Sequence, residues 1–332
     1  MKIWLPISAA GTGSEVFTVQ LADALSKRGI EPVITRYSKQ IEAMPWFLSL
    51  LKPPAKINLI HLNAGSAAGF FHHGLPTVIT GHGAFERPVY DAYKSMPQKL
   101  YHAMLMRPGI AKSVMRASTV TAVSSWVADI YRQEYAAPKV EVIGNWVDTD
   151  LYFPVRKMPT RKILFVGRTA WQKGSHLLPK IAELLGNEFE LTCTLYQNEL
   201  KGSAPTNMRL IGPVTRDKMP ALYPAHDALI VPSIAEGFCL AAAEAMACGL
   251  PVFGFRGHGL DDVLGPAAAS CNAEMLDLEG MVSTIKNVFD QPRRYHEIAD
   301  AGRAHVEKNF TEDIALDKYI SVYEKVVSAA KK

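Results

Sequence analysis

Cysteine is scarce in this 332-residue sequence, and its four cysteines include no C-x-x-C pair. A disulfide framework is therefore excluded, a zinc or dithiol site is not indicated, and a reducing, cytosolic compartment is expected. Long apolar runs are also missing. The opening segment MKIWLPISAAGTGSE is broken by Pro6, Gly11 and Gly13, and the longest stretch without Asp, Glu, Lys or Arg, residues 57–85, contains four His, two Asn and five Gly. We therefore expect neither a signal peptide nor a membrane-spanning helix. Lys and Arg form no dense run that would indicate nucleic-acid binding.

The length and the charge distribution indicate two domains. With 48% hydrophobic and 20% charged residues, the chain is typical of a globular protein of about two domains. Residues 1–157 carry 17 Lys and Arg against 11 Asp and Glu, whereas residues 158–332 carry 19 against 21. A polar stretch with two prolines, residues 145–161, is the best linker candidate. The predicted division is an N-terminal domain over 1–150, a C-terminal domain over 151–312, and a terminal helix over 313–332 that packs back toward the first domain.

Short buried strands alternate with helical stretches along the chain. Strands are predicted at 3–6, 32–35, 57–62, 77–80, 120–123, 140–143, 162–166, 191–195, 208–211, 228–231 and 252–255. Helices are predicted at 15–27, 111–116, 126–135, 175–185, 278–289, 293–308 and 312–330. This rhythm predicts an α/β protein with two Rossmann-like, doubly wound parallel sheets, which bind ligands at the carboxyl ends of their strands and in the cleft between them.

A glycine-containing loop lies between the first strand and the first helix. Residues 8–15 read SAAGTGSE, in which Gly11 and Gly13 permit a tight turn before a helix N-terminus that attracts anions. The loop is neither G-x-G-x-x-G nor a Walker A motif, which argues against a nicotinamide oxidoreductase. An ordinary strand-to-helix turn explains the glycines equally well.

Two cations follow the first strand of the second half. Residues 166–176 read VGRTAWQKGSH, so Arg168 and Lys173 precede a helix that we expect to begin near Gly174. Cations at the carboxyl end of a parallel strand can hold a diphosphate, Arg as a two-pronged donor and Lys as a point charge. The alternative is two solvated loop cations.

Two glutamates lie eight residues apart in the segment 231–252, VPSIAEGFCLAAAEAMACGLPV. Glu236 is predicted at a helix N-terminus, where a carboxylate is favoured. Glu244 lies in a run of Ala, Cys and Met, which is unusual for a solvated helix face. It is either a ligand-binding group or a buried partner of an Arg or a backbone group.

These motifs together resemble the retaining group 1 glycosyltransferases, glycosyltransferase family 4, which have the GT-B fold. Glu-x₇-Glu ahead of AMACGLPV is similar to the signature of that family. Four further segments are similar to the family, in the family's order and along nearly the whole chain. Residues 165–174 resemble its G-R…K-G segment, and residues 120–126 with 142–154 resemble its interdomain passage. Residues 211–214 resemble its F-x-G-x-V segment, and residues 11–15 resemble its first loop.

The resemblance implies a role for each matching residue. Arg168 and Lys173 would stabilise the donor diphosphate as leaving group, Glu244 would hold the ribose, and Glu236 would hold the sugar hydroxyls. His82, in TGHGAF, would lie near the reacting carbon, with an ordinary loop histidine as the alternative. The implied catalytic residues are His82, Arg168, Lys173 and Glu236. The implied donor-binding residues are Gly11, Gly13, Arg168, Lys173, Val214, Glu236, Gly237, Phe238, Cys239, Leu240 and Glu244.

The implied activity is transfer of a hexose from a nucleotide diphosphate sugar, UDP- or GDP-linked, to a hydroxyl of a glycan or lipid-linked acceptor. No cofactor and no metal are expected, because two cations already serve the diphosphate, and we interpret Asp148-x-Asp150 as turn chemistry. The adjacent His72 and His73 lack a third ligand and are not predicted to bind metal. The alternatives are a sugar-nucleotide epimerase of the same fold, which would need further acid–base groups, and a catalytically silent sugar-nucleotide-binding protein.

One loop of this chain departs from the family pattern. Residues 256–262 lack the family's usual G-G-x-x-E, so donor contacts from this loop are expected to differ.

The N-terminal domain would bind the acceptor, and its segments 44–56 and 94–116 mix apolar side chains with Lys and Arg. That mixture predicts peripheral contact with the inner face of an anionic membrane. A helix packed on the core with its cations extended into solvent explains it equally well.

Overall fold

The structure, a computed structural model, describes residues 1–9, 13–42, 45–155, 158–199, 203–267 and 271–331. The chain forms two compact units, Met1–Asn145 with Glu312–Lys332, and Trp146–Thr311. Each unit has one six-stranded sheet in which every described strand pair is parallel. The predicted α/β class with two doubly wound parallel sheets is confirmed, whereas the roles assigned to the two domains stay predictions.

The sheet of the first unit has the strands β1 Lys2–Ala9, β2 Glu31–Ser38, β3 Leu59–Asn63, β4 Thr77–Gly81, β5 Thr119–Ala122 and β6 Val140–Val142. The strand order across this sheet is β2-β1-β3-β4-β5-β6. Its α-helices are Gly13–Lys27, Lys39–Glu42, Met96–Tyr101, Arg107–Arg116, Ser125–Glu134 and Glu312–Ala329, with a π-helical segment His102–Met106. The 3₁₀ turns are Pro45–Leu50, Ala67–Gly69, Phe71–His73 and Pro88–Tyr93.

The last helix, Glu312–Ala329, is part of the first unit and is held by both buried and exposed contacts. Its Tyr319 and Tyr323 are fully buried. At the surface, Lys27 pairs with Glu312 at 2.8 Å and Arg28 with Asp313 at 2.7 Å. Exposed ion pairs of this kind contribute little, so the buried aromatic side chains provide most of the attachment.

The sheet of the second unit has the strands β7 Lys162–Phe165, β8 Glu190–Cys193, β9 Met208–Leu210, β10 Ala228–Val231, β11 Val252–Phe255 and β12 Asn272–Ala273. The strand order across this sheet is β12-β11-β10-β7-β8-β9. Strand order along the chain reverses between β7 and β10, which pair directly through Ile163 with Ala228 and Leu164 with Leu229. Ligands of doubly wound sheets bind outside the carboxyl ends of the strands at this switch point.

Helices cover both faces of the second sheet, as the alternation predicts. Its α-helices are Leu178–Leu185, Met219–Leu222, Leu240–Ala247, Leu260–Leu264, Leu278–Phe289 and Pro292–Asn309. Its 3₁₀ turns are Trp171–Lys173, Ser175–Leu177, Gln197–Glu199, Arg216–Lys218, Tyr223–Ala225 and Gly265–Ala267. All eleven predicted strands are present. The two-residue β12 was not predicted, because so short a strand carries no periodic signal.

Candidate functional site

Two loops meet at the switch point of the second sheet. One follows β7 and carries Arg168 and Lys173, and the other follows β10 and carries Glu236. The carbonyl of Gln172 accepts hydrogen bonds from the N–H groups of Ile234, at 2.9 Å, and Ala235, at 3.3 Å. The loops are therefore joined through their backbones, and the predicted cation and carboxylate motifs lie together.

Gly174 makes the close approach of these loops possible. Its φ is +65°, and a Cβ at this position would lie 1.8 Å from the carbonyl oxygen of Pro232. Only glycine avoids both the left-handed strain and the clash. Gly174 links the turns Trp171–Lys173 and Ser175–Leu177, and the α-helix begins at Leu178 rather than near Gly174 as expected.

Lys173, Glu236 and Ser233 form a compact polar cluster. Lys173 Nζ lies 2.7 Å from Glu236 Oε1, and the Ser233 hydroxyl donates to the same oxygen at 2.7 Å. The Glu236 side chain is only 7% exposed, whereas that of Lys173 is 30% exposed. Burial is the largest single influence on the pKa of Lys173 and would lower it, but the charge and hydrogen bond of Glu236 and the nearby Cys239 together hold the pKa above its usual range. The cation is therefore permanent and partly accessible to a ligand.

Glu236 does not lie at a helix N-terminus, which corrects the sequence-based expectation. The helix Leu240–Ala247 begins four residues later, after Cys239, whose φ of +79° is rare outside glycine. This left-handed residue separates the helix from the loop that turns Glu236 toward Lys173. Burial raises the pKa of the Cys239 thiol to about 12, so this thiol is neutral.

The residues after Glu236 present backbone rather than side chains. The ring of Phe238 is buried and packs edge-on against Phe310, with the ring centres 5.1 Å apart. A Cβ on Gly259 would lie 2.1 Å from the carbonyl oxygen of Gly237, so the two backbones are in direct contact. Any contact of Gly237, Phe238 or Cys239 with a sugar would therefore involve main-chain atoms, and Leu240 opens the helix.

The segment 256–262, which lacks the family's usual G-G-x-x-E, forms hydrogen bonds with the Glu236 loop. The buried His258 donates from Nε2 to the carbonyl of Ser233 at 2.9 Å, and its Nδ1 accepts from Leu260 N–H at 3.3 Å. Gly259 N–H donates to the carbonyl of Glu236 at 3.0 Å. Burial lowers the pKa of His258, which agrees with a neutral ring that is satisfied at both nitrogens. The sequence does not predict this contact, because no local pattern relates residues 233 and 258.

Glu244 lies on the helix Leu240–Ala247, within reach of two tyrosines and a cation. The Tyr223 hydroxyl donates to Glu244 Oε2 at 2.7 Å. Burial raises the pKa of Glu244, while the Tyr223 hydrogen bond, the charge of Arg216 and the neighbouring Tyr152 oppose that rise. The residue is half-buried, so part of it is accessible from solvent. The sequence predicts Glu244 as a site residue but none of these three neighbours.

Arg168 and Val214 complete the predicted donor residues of the second unit. Arg168 is exposed, and no ion pair of it occurs within the described ranges. Its charge nevertheless acts to lower the pKa of Lys173, so the two cations are neighbours. Val214 is half-exposed in the loop after β9. Both are accessible at the carboxyl edge of the sheet.

In the first unit, the candidate residues follow β1 and β4. Gly11 lies outside the described residues, and Gly13 opens the helix Gly13–Lys27. His82 follows β4, and its ring packs edge-on against Phe17 with the ring centres 4.6 Å apart. Its buried Nε2 has no hydrogen-bond partner in the described part of the chain. Burial lowers the pKa of His82 to about 4, so it is neutral near pH 7.

Near His82, a chain of hydrogen bonds between side chains links the strands β3, β4 and β5. His61 Nδ1 lies 2.6 Å from the Tyr323 hydroxyl, and its Nε2 lies 2.6 Å from Thr80 Oγ1, which lies 2.6 Å from Thr121 Oγ1. Thr121 donates to the carbonyl of Ile79, so Thr80 must donate to Thr121 and accept from His61. His61 therefore donates through Nε2. Burial lowers the pKa of His61 to about 3, so the ring is neutral near pH 7 and its Nδ1 accepts from Tyr323.

The described residues contain no group of three or more His, Cys, Asp or Glu side chains that could hold a metal ion. Asp148 Oδ1 accepts from the N–H groups of Asp150 and Leu151, each at 3.0 Å, so Asp148 caps its own turn. No helix in these ranges has the length and apolar character needed to cross a membrane.

Two family models match this chain. Residues 160–291 match Glycosyl transferases group 1, and residues 34–151 match Glycosyltransferase Family 4. The first range contains β7 to β12 with both switch-point loops, and the second contains β3 to β6 with His82. Both matching models are therefore glycosyltransferase models, and together they cover most of the chain.

Curated relatives are similar over part of their length. The chain is 26% identical to the MMP alpha-(1->4)-mannosyltransferase of Mycolicibacterium hassiacum over 252 residues, 71% of this chain and 60% of the relative. It is 26% identical to the 2-deoxystreptamine glucosyltransferase of Streptomyces kanamyceticus over 241 residues, 65% of this chain and 62% of the relative. It is 31% identical to the D-inositol 3-phosphate glycosyltransferase of Pseudarthrobacter chlorophenolicus over 180 residues, 46% of this chain and 41% of the relative.

Solved structures share the fold over nearly the whole chain. Sucrose-phosphate synthase from Thermosynechococcus elongatus superimposes with a TM-score of 0.82 at 16% identity, covering 99% of this chain and all of that one. The Anabaena protein HepE in complex with UDP and glucose gives a TM-score of 0.74 at 16% identity, covering 98% and 100%. The protein thus has the GT-B fold, and its two halves match the models of Glycosyl transferases group 1 and Glycosyltransferase Family 4.

Proposed function

We propose that this protein is a retaining, metal-independent glycosyltransferase that moves a hexose from a nucleotide diphosphate sugar to a hydroxyl of a glycan or lipid-linked acceptor. The observation that carries the proposal is the Lys173–Glu236 pair, 2.7 Å apart at the switch point of the second sheet. There, a partly exposed cation and a carboxylate meet where doubly wound sheets bind nucleotides.

The chemistry of the donor explains why these two groups are neighbours. In a nucleotide diphosphate sugar, the anomeric carbon is bonded directly to a phosphate oxygen. A protein that holds both the sugar hydroxyls and the diphosphate therefore needs an acceptor and a cation side by side. Glu236 is the acceptor, Lys173 is the cation, and the exposed Arg168 adds a second, two-pronged donor to the diphosphate.

Glu244 extends the site toward the nucleoside. Its position on the helix that follows the Glu236 loop suits a carboxylate that accepts from ribose hydroxyls, and Tyr223 holds one of its oxygens in place. Val214, in the loop after β9, would also contact the donor. Each assignment agrees with the role that the family resemblance implies.

The proposed reaction is a front-face displacement. The bond from the anomeric carbon to the diphosphate oxygen breaks, and a bond from the same carbon to the acceptor oxygen forms on the same face. The departing diphosphate takes the proton of the acceptor hydroxyl. Lys173 and Arg168 stabilise the charge that grows on the leaving group, so the protein contributes positioning and electrostatics rather than a general base. The neutral His82 would contact the sugar near the reacting carbon.

The relatives favour this reaction over the alternatives. Their names are those of a mannosyltransferase, a glucosyltransferase and a glycosyltransferase, and none is an epimerase. HepE binds UDP and glucose, which makes a UDP-linked hexose the first donor to try. The first unit would bind the acceptor, since the second carries nine of the eleven predicted donor residues.

A donor panel combined with one variant tests the proposal. A bound donor at about 100 times its Kd stabilises the protein by roughly 2.7 kcal/mol, so thermal-shift measurements with UDP-, GDP- and ADP-linked hexoses will identify it. With that donor, Arg168→Ala is expected to lower turnover on the order of 10²-fold, as for loss of one transition-state donor. The control is Arg293→Ala, an exposed cation that pairs with Glu297 of its own helix and belongs to neither switch-point loop. Equal turnover of both variants and the unmodified protein would contradict the proposal.

A further inference from the structure

A long helical element lies on the surface of the first unit. Three segments follow one another without interruption, Met96–Tyr101, the π-helical His102–Met106 and Arg107–Arg116. At about 1.5 Å per residue, this element, which we call the 96–116 helix, is roughly 30 Å long. Its length and surface position allow it to present an extended face to a partner.

One face of the 96–116 helix exposes large apolar side chains. Met96 is 73% exposed, Leu100 60% and Met104 64%, and their spacing of four residues places them in one row. Met115, near the end of the helix, is 79% exposed. Such a row of protruding apolar side chains is unusual on a surface that meets only water.

Packing on the core explains only the other face of the helix. Ile110, Ser113 and Val114 are buried and attach the helix to the unit. The sequence pattern left two explanations of segment 94–116, a helix packed on the core and a membrane contact. Core packing accounts for the buried residues and leaves the exposed row without a function.

The charge of this region is of one sign. From residue 92 to residue 128 the chain contains five Lys and Arg and no Asp or Glu. Lys94 is occupied by Asp91, and Arg107 lies within 4.0 Å of Glu134. Within the described ranges, Lys99, Lys112 and Arg116 show no ion pair, and they share the helix with the exposed row.

We propose that the 96–116 helix docks on a bilayer that contains anionic lipids, through Met96, Leu100, Met104 and Met115, with Lys99, Lys112 and Arg116 at the headgroups. A helix lying flat, with flexible apolar side chains on one face and cations beside them, is the form of an interfacial membrane helix. A lipid surface needs no shape complementarity, which suits side chains that protrude singly. The proposal does not rest on the transferase assignment, because it concerns a surface and not a reaction.

Flotation of the full-length protein with vesicles tests the proposal in the absence of any sugar donor. The two compositions are pure phosphatidylcholine and a 7:3 mixture of phosphatidylcholine and phosphatidylglycerol. We expect at least tenfold more binding to the anionic vesicles, with a decrease as salt screens the charges. Equal binding to both vesicles, or none to either, would overturn the proposal, whatever the protein catalyses.

Matched variants assign the binding to the helix. Met96→Ser, Leu100→Ser and Met104→Ser together are expected to reduce vesicle binding at least tenfold. Each Lys or Arg near an anionic surface strengthens binding roughly fivefold, so changing Lys99, Lys112 and Arg116 to Gln should weaken it on the order of 10²-fold. The controls are the exposed Leu151, Val155 and Met158 changed to Ser, and the exposed Lys180, Lys218 and Arg293 changed to Gln.

The controls are expected to bind vesicles like the unmodified protein. Because all changed side chains are exposed or half-exposed, folding is expected to be retained, which circular dichroism will verify. If the serine variant of the helix floats like the unmodified protein, the helix is not the docking surface. If it instead dissociates a dimer and vesicles bind neither protein, the surface receives a second copy of this chain, and the lipid proposal is wrong.

Discussion

Lys173 Nζ lies 2.7 Å from Glu236 Oε1, and this pair joins the loops that follow two neighbouring parallel strands. Ser233 donates to the same carboxylate oxygen, and the His258 ring donates a hydrogen bond to the carbonyl of Ser233. A cation for phosphate and an acceptor for hydroxyls are thereby fixed at one point. The division of labour between Glu236 and Glu244 follows from this arrangement.

Glu236→Gln and Glu244→Gln are expected to differ in what they bind. Glu236→Gln should retain affinity for the free nucleoside diphosphate and weaken binding and turnover of the sugar-bearing donor, because the group beside Lys173 serves the sugar. Glu244→Gln should weaken the nucleoside diphosphate and the donor alike, because it loses an acceptor for the ribose. Isothermal titration calorimetry with both ligands measures the difference. Equal loss of nucleoside diphosphate affinity in the two variants would refute the assignment.

Gly174→Ala tests whether the close approach of the two loops matters. Its Cβ would meet the Pro232 carbonyl at a φ of +65°, so the Lys173 loop must move. A left-handed alanine alone costs about 1–2 kcal/mol, and the clash adds to that. Gly74→Ala is the matched control, since it has the same left-handed φ of +65° but nothing lies within 4 Å of a Cβ there. Urea denaturation should show the larger loss for Gly174→Ala, and only that variant should lose donor affinity.

The sequence predicts the sheets well because their strands are short, apolar and regularly spaced. All eleven predicted strands are present, and the helix Leu278–Phe289 has the predicted bounds. The motif residues Lys173 and Glu236 are also brought together, since the carboxyl ends of neighbouring strands meet at one edge of a sheet. Strand order itself is a tertiary property, which the alternation alone leaves open.

What the sequence does not predict depends on contacts between distant residues. The support of Ser233 by His258 and the hydrogen bond from Tyr223 to Glu244 join residues 25 and 21 positions apart with no shared pattern. The start of the helix at Leu240 was missed for a related reason. Cys239 takes a left-handed conformation that favours glycine or asparagine, and no local rule assigns it to a cysteine.

Two buried histidines make stability depend on pH. Burial lowers the pKa of His61 to about 3 and that of His82 to about 4, against an ordinary value of 6.5. As pH falls from 6.5 to 4, the unfolded chain takes up protons that the folded chain does not. The free energy of unfolding should therefore fall, by at most about 1.4 kcal/mol per pH unit for each histidine. Urea denaturation between pH 7.5 and pH 4.5 measures this slope.

The variant His82→Asn isolates one of these contributions. Asparagine cannot titrate, so the fall in unfolding free energy between pH 6.5 and pH 4.5 should be shallower than in the unmodified protein. The same slope in both proteins would show that His82 titrates normally, and that it is not the buried neutral side chain described above.

Transfer is expected to proceed without a metal ion. Lys173 and Arg168 supply the positive charge at the diphosphate, and Asp148 is engaged in its own turn. EDTA should therefore leave turnover unchanged, and Asp148→Ala with Asp150→Ala should alter it by less than about twofold. Turnover that stops with EDTA and returns with Mn²⁺ or Mg²⁺ would show that a metal carries the diphosphate.

The anomeric configuration of the product tests the central claim most directly. Proton NMR of a reaction with an α-linked nucleotide diphosphate hexose will follow both the released nucleoside diphosphate and the new glycosidic bond. If the diphosphate leaves under the charges of Lys173 and Arg168 and the acceptor attacks on the same face, the product is α-linked. A β-linked product, or no release of nucleoside diphosphate from any UDP-, GDP- or ADP-linked hexose, would contradict the account.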